Sequence, residues 1–147
     1  MATAVIFFRR SAVLFAIAVM LGGCSRSAPV YNVTDHAMPE ASRSLSLQQI
    51  EDRIITAGKP EQWQMRPEGS GTLVARREWG GGHAAIVTIR FSQQTFSIRY
   101  KATERLLKRG ATSDGADAQP YLIHRKYNKV VKSLERHMEI ELAKPAS

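Results

Sequence analysis

Residues 72–102, TLVARREWGGGHAAIVTIRFSQQTFSIRYKA, decide the fold of this chain. Three runs rich in β-branched and aromatic residues, Thr72 to Trp79, His83 to Phe91 and Thr95 to Ala102, are separated by short turn-forming segments, which predicts an antiparallel three-stranded meander. Gly80-Gly81-Gly82 tolerates positive φ and makes the first turn; Ser92-Gln93-Gln94 makes the second. The glycine run does not open a helix and has no following lysine, so it is a hairpin turn and not a phosphate-cradling loop.

Side chains alternate across a strand, so Ala85, Val87, Ile89 and Phe91 share one face, as do Phe96, Ile98 and Tyr100. That face is the core. The opposite face carries Thr88 and Arg90, then Ser97, Arg99 and Lys101, and is expected to be wet and positive. The first strand has two registers open to it: Leu73, Ala75, Arg77 and Trp79 inward, or Thr72, Val74, Arg76 and Glu78, with a bulge able to reconcile them. The Leu73 register is favoured.

Working outward, Ser46 with Gln49 three residues on resembles a capping box, and Leu47, Ile50, Ile54 and Ala57 recur at helical spacing. A helix over residues 47–57 follows, stopped by Gly58-Lys59-Pro60. Residues 103–119 read as a long connection in which Leu106 and Leu107 dock locally. A last helix begins after Pro120 and runs to about Ala143, with Ile123, Tyr127, Val130, Val131, Leu134, Met138 and Leu142 as its apolar stripe. The expected architecture is α+β: a two-layer sandwich in α-β-β-β-α order, the meander flanked by an N-terminal and a C-terminal helix.

The chain's first residues have a different character. Arg9 and Arg10 precede an uncharged apolar run, Ala12 to Leu21, that is about half the ~20 residues needed to cross a bilayer. Leu21-Gly22-Gly23-Cys24 then resembles the lipobox of bacterial lipoproteins, in which signal peptidase II cuts before the cysteine. The resemblance implies a signal peptide over residues 1–23, a diacylglyceryl thioether on Cys24 and an acylated new N-terminus. Several acyl chains hold a protein stably where one does not, since each buried methylene contributes about 0.8 kcal/mol. Ser25, where inner-membrane lipoproteins tend to have aspartate, implies the outer membrane, facing the periplasm. Residues 24–45 are rich in Ser, Ala and Pro and read as a lipidated flexible tether reaching roughly 25 Å, ahead of a single domain over residues 46–144.

Lys and Arg outnumber Asp and Glu by 21 to 13, a net charge of +8. Such a surplus favours anionic envelope surfaces as well as solubility, and export argues against nucleic acid as a partner. Cys24 is the one cysteine, so once lipidated it can form no disulfide and act as no thiol nucleophile.

Phe96-Ser97-Ile98-Arg99-Tyr100, followed by Ile123-His124-Arg125-Lys126-Tyr127-Asn128, is similar to a pattern in small uncharacterised proteobacterial lipoproteins, with Trp63 fitting too. That resemblance covers roughly residues 45–140 and implies location and fold, not chemistry. The candidate anion-binding residues are Arg90, Arg99 and Lys101. A further basic set, Arg125, Lys126, Lys129, Lys132 and Arg136, lies on the last helix, pointing away from the sheet's outer face. His124, Tyr127 and Asn128 are candidates either for a ligand or for satisfying backbone groups. His36, His83 and His137 lie apart in sequence, and no nucleophile motif occurs, so no metal, cofactor or catalytic set is expected. The sequence points to a non-enzymatic envelope lipoprotein whose partners are the membrane, through its lipid, and another envelope protein or an anionic glycan or lipid. A small cell-wall enzyme using His124 as a base is the alternative.

Overall fold

A computed structural model describes residues 26–106, 108–109 and 122–145. Cys24, the lipobox and the apolar run lie outside the described residues. In chain order the elements are β1 (Ser27–Pro29), β2 (Val33–Ala37), α1 (Glu40–Arg43), α2 (Leu47–Gly58), a 3-10 turn (Lys59–Glu61), β3 (Gln64–Gly69), β4 (Thr72–Trp79), β5 (His83–Phe91), β6 (Thr95–Glu104), β7 (Lys108–Arg109), β8 (Leu122–His124) and α3 (Arg125–Leu142). The α+β class holds, but the meander is only the centre of a five-stranded antiparallel sheet ordered β2-β6-β5-β4-β3. A second small antiparallel sheet, β1-β8-β7, stands beside it. The expected three-stranded α-β-β-β-α arrangement is therefore too small.

The three central strands begin where their sequence pattern begins, and each inward residue expected of β5 is buried. The Leu73 register is the one adopted, with Leu73 and Ala75 fully buried. Between β5 and β6 a register shift pairs Ile86 with Ala102 but Val87 with Tyr100, so Lys101 is the extra residue of a bulge. β3 contains Pro67, which lacks an N–H to donate and so suits an edge strand.

α2 starts at the capping box: Ser46 Oγ accepts from Gln49 N at 3.2 Å, and Gln49 Oε1 accepts from Ser46 N at 2.9 Å. Its Ile50 and Ile54 join one core with the inward faces of β4–β6 and with Tyr127, Val131, Leu134, Met138 and Leu142 of α3. Both helices thus cover one face of the large sheet.

Two sequence expectations are corrected. The last helix starts at Arg125 and not soon after Pro120, because residues 122–124 pair with β1 and β7. Ile123 is buried, yet from a strand. The tether expected to run to residue 45 is, over its described part, built into the domain: Val33 and Met38 are buried, and Met38 N donates to Gln94 O at 2.8 Å. No periodicity marks these contacts, since β2 buries only Val33 and Met38 follows the strand's end.

The ends of α3 are closed by distant groups. Arg125 N donates to Arg26 O at 2.8 Å, and at the other end the fully buried Ser42 donates from Oγ to Leu142 O at 2.6 Å. Arg53 reaches the same terminus and donates to Pro145 O at 2.9 Å. The residues preceding α2 thereby fix the last helix at both ends.

Candidate functional site

The outer face of the large sheet is charged as expected, but most of its charge is paired. Lys101 Nζ bonds both oxygens of Glu68, at 2.8 and 3.0 Å, and Arg66 stands 3.6 Å from the same carboxylate. Arg76 bridges Glu78 and Glu104, the latter at 2.8 Å. Such exposed pairs contribute little stability, but they cancel the field of the cations they hold. Lys101, the extra residue of the bulge, is therefore held by Glu68 and separated from the other two members of the anion-binding trio expected from the sequence.

Arg90 and Arg99 remain. The register sets Arg90 opposite Ser97 and Arg99 opposite Thr88, so the arginines are diagonal neighbours, residues about 7–8 Å apart in such pairs with β-carbons somewhat closer. Both are exposed, and among the described residues neither has a carboxylate partner. They line a hollow of about 220 Å³ with Asp35, Ser92, Thr95 and Ser97.

Among the described residues Asp35 is the one acid lining it, and its carboxylate is held by Ser97 of the same hollow and not by either arginine. Held at φ 46° in the β2 bulge, it donates its N–H to Ser97 Oγ at 3.0 Å, and Ser97 Oγ donates to its Oδ1 at 3.3 Å. Two guanidinium forks against one carboxylate leave the hollow positive. Planar forks of this kind match phosphate and carboxylate oxygens bidentately.

A larger hollow, about 430 Å³, lies beside Arg43, Gln93 and Gln94. Among the described residues Arg43 is the one cation lining it, and two of its polar groups serve the backbone: Arg43 Nε donates to Met38 O at 3.0 Å and Gln93 Nε2 to Leu45 O at 2.8 Å. The smaller hollow is the one with two guanidinium groups that have no carboxylate partner among the described residues.

The basic face of α3 lies on the other side of the sheet and does not merge with Arg90 and Arg99. Lys126 Nζ sits 5.0 Å over the Trp79 ring and Lys132 Nζ 4.8 Å over that of Tyr31. Arg77 is ion-paired with Glu61, which also accepts from Ser133 Oγ. His137 Nδ1 lies 3.2 Å from the same carboxylate, close enough for an ion pair but without hydrogen-bond alignment.

The candidates at the start of α3 divide. His124 caps the helix, its Nδ1 accepting from Lys126 N at 3.1 Å. Asn128 Oδ1 accepts from Tyr31 N at 3.0 Å, and its Nδ2 donates to Pro29 O at 2.7 Å. Both polar tips face backbone. Tyr127 is fully buried, its hydroxyl unpartnered among the described residues, and burial pushes its phenol well above the usual range.

His83 Nδ1 contacts Arg105 O at 2.9 Å. One set that sequence spacing could not reveal is His36 with Glu135 and Glu139, whose donor atoms all lie within 4.8 Å of one another. Only the packing of β2 against α3 brings them together.

The chain matches no protein-family model, no curated protein and no solved structure.

Proposed function

We propose that this protein is a lipid-anchored bacterial envelope protein, held through Cys24 in the outer membrane, whose domain is a non-enzymatic binding module. Its binding surface is the outer sheet face at Arg90 and Arg99, and its ligand is an anionic group, phosphate or carboxylate, of an envelope glycan or lipid. The observation that carries this reading is the contrast on one face: Arg66, Arg76 and Lys101 are neutralised by glutamates, while Arg90 and Arg99 line a hollow and have no carboxylate ion-pair partner among the described residues. The anchor rests on Leu21-Gly22-Gly23-Cys24 and the charged and apolar segments before it.

The anchor is tested by the mass of the protein recovered from membranes. Residues 24–147 plus acyl chains are expected, and Cys24→Ala should lose both cleavage and lipid; an unmodified Cys24 in the native protein would overturn it. The hollow is tested with purified full chain against anionic and zwitterionic vesicles and against a soluble phosphorylated glycan. Arg90→Glu with Arg99→Glu should weaken binding about 10- to 100-fold, as expected for losing hydrogen bonds to a charged group. The arm that shows the loss identifies the source of the anion, and equal binding by both proteins in every arm refutes the site.

A further inference from the structure

We propose that His36, Glu135 and Glu139 form a binding site for a divalent first-row transition metal, with Zn²⁺ as the chemically simplest occupant. It shares no residue with the Arg90–Arg99 hollow and does not rest on the reading above.

Glu135 and Glu139 are four apart on α3, so their carboxylates project from one face of the helix, where like charges repel. In a chain this basic, a lysine or arginine between them would be the ordinary solution. Among the described residues neither carboxylate has one: both meet the His36 ring, Nδ1 at 3.5 Å from Glu135 Oε1 and Nε2 at 3.1 Å from Glu139 Oε1. The neighbouring Lys132 is directed to the Tyr31 ring instead.

The three groups are also held in place. The His36 ring stacks on Phe96 with centroids 4.7 Å apart, which sets its plane by packing. Tyr31 donates its hydroxyl to Glu135 Oε2 at 2.6 Å, leaving Oε1 toward the imidazole. A hydrogen bond of this kind orients a metal-binding carboxylate.

Geometry and donor type choose the metal. Ligands about 2.0–2.2 Å from a zinc ion lie roughly 3–4 Å from one another, so donor atoms within 4.8 Å need only small side-chain rotations to close on one ion. One imidazole nitrogen with two carboxylate oxygens suits zinc or a similar borderline cation, whereas calcium and magnesium prefer oxygen throughout. A neutral imidazole and two carboxylates balance a dication. With side chains 33%, 16% and 42% exposed, the site faces solvent on one side, open to a water or an external ligand as a fourth donor. Bound metal would clamp β2 to α3.

The test is calorimetric titration of the purified full chain with Zn²⁺, alongside Co²⁺ titration followed by visible absorption. One equivalent should bind. His36→Gln and Glu139→Gln should each weaken it at least about 10-fold, the lower end of what loss of a mere supporting hydrogen bond does at metal sites, while His83→Gln leaves it unchanged. Zn²⁺ should raise the unfolding temperature of the native protein and not of Glu139→Gln, whose exposed side chain makes it safe for folding. Absence of binding by the native protein, or binding by both site variants as tight as that of the native protein, overturns the proposal.

Discussion

Asn128 and Tyr31 are joined by a hydrogen bond from the backbone N–H of Tyr31 to Asn128 Oδ1, 3.0 Å long, which ties the β1–β2 connection to the first turn of α3. The same carboxamide donates to Pro29 O at 2.7 Å, so one side chain serves two backbone groups on the chain's first described segment. Asn128→Ala would leave both unserved. A loss of about 1–2 kcal/mol is expected by denaturant unfolding, with hydrogen exchange rising first around residues 27–37; unchanged exchange there would show that β1 and β2 are held by other contacts.

Tyr127 makes the opposite case. Its hydroxyl is buried and unpartnered among the described residues, so Tyr127→Phe removes an uncompensated polar group without opening a cavity and should stabilise the fold by about 1 kcal/mol. A clear decrease in stability would mean that the hydroxyl has a partner, such as a buried water.

The two perturbed phenols set an alkaline limit. Burial raises Tyr127, and Tyr31 is pushed up to about 12, first by its hydrogen bond to Glu135 and then by desolvation and carboxylate charge. Groups raised in the folded state contribute stability that is whole below their unfolded value near 10 and declines as pH rises above it. Stability should therefore fall from about pH 10 toward pH 12, less steeply in Tyr127→Phe, as read from unfolding midpoints across that range.

Gly71 sits at φ 71°, and a β-carbon there would meet Phe91 O at 2.7 Å, a backbone atom that cannot swing away. Phe91 N also donates to Gly71 O at 2.9 Å, so the turn between β3 and β4 is locked to the end of β5. Gly71→Ala should cost about 1–3 kcal/mol. Gly80→Ala, with nothing within 4 Å and no positive φ, should be near neutral and serves as its control.

The balance of charge on the outer sheet face yields a further prediction. Glu68 holds Lys101, so Glu68→Gln should free that amine, strengthen binding of anions by the sheet face by a few fold at low salt, and leave stability within about 0.5 kcal/mol, since exposed pairs contribute little. Unchanged affinity would show that Lys101 and the arginines do not act on a common ligand.

Local order was legible in the sequence wherever a repeating pattern meets a single chemical demand. The alternation Ala85, Val87, Ile89, Phe91 placed one face of a strand in the core, and Ser46 with Gln49 placed a helix start, because pleat and cap are satisfied within a few residues. Contacts made by single residues across the whole chain were not. Val33 and Met38 enter the core from segments without periodicity, and β8 is a strand because β1 reaches it.

The sites divide in the same way. Sequence placed Arg90, Arg99 and Lys101 on one solvent face by period-two alternation alone, and that much follows from local geometry. Tertiary structure decided which of them is already paired, since Glu68 approaches Lys101 from the far edge of the sheet. It also made a cluster of His36, Glu135 and Glu139 from two elements distant in sequence. Periodicity is a property of neighbours along the chain and can assign faces; pairing of charges depends on which faces meet, and only the packed core fixes that.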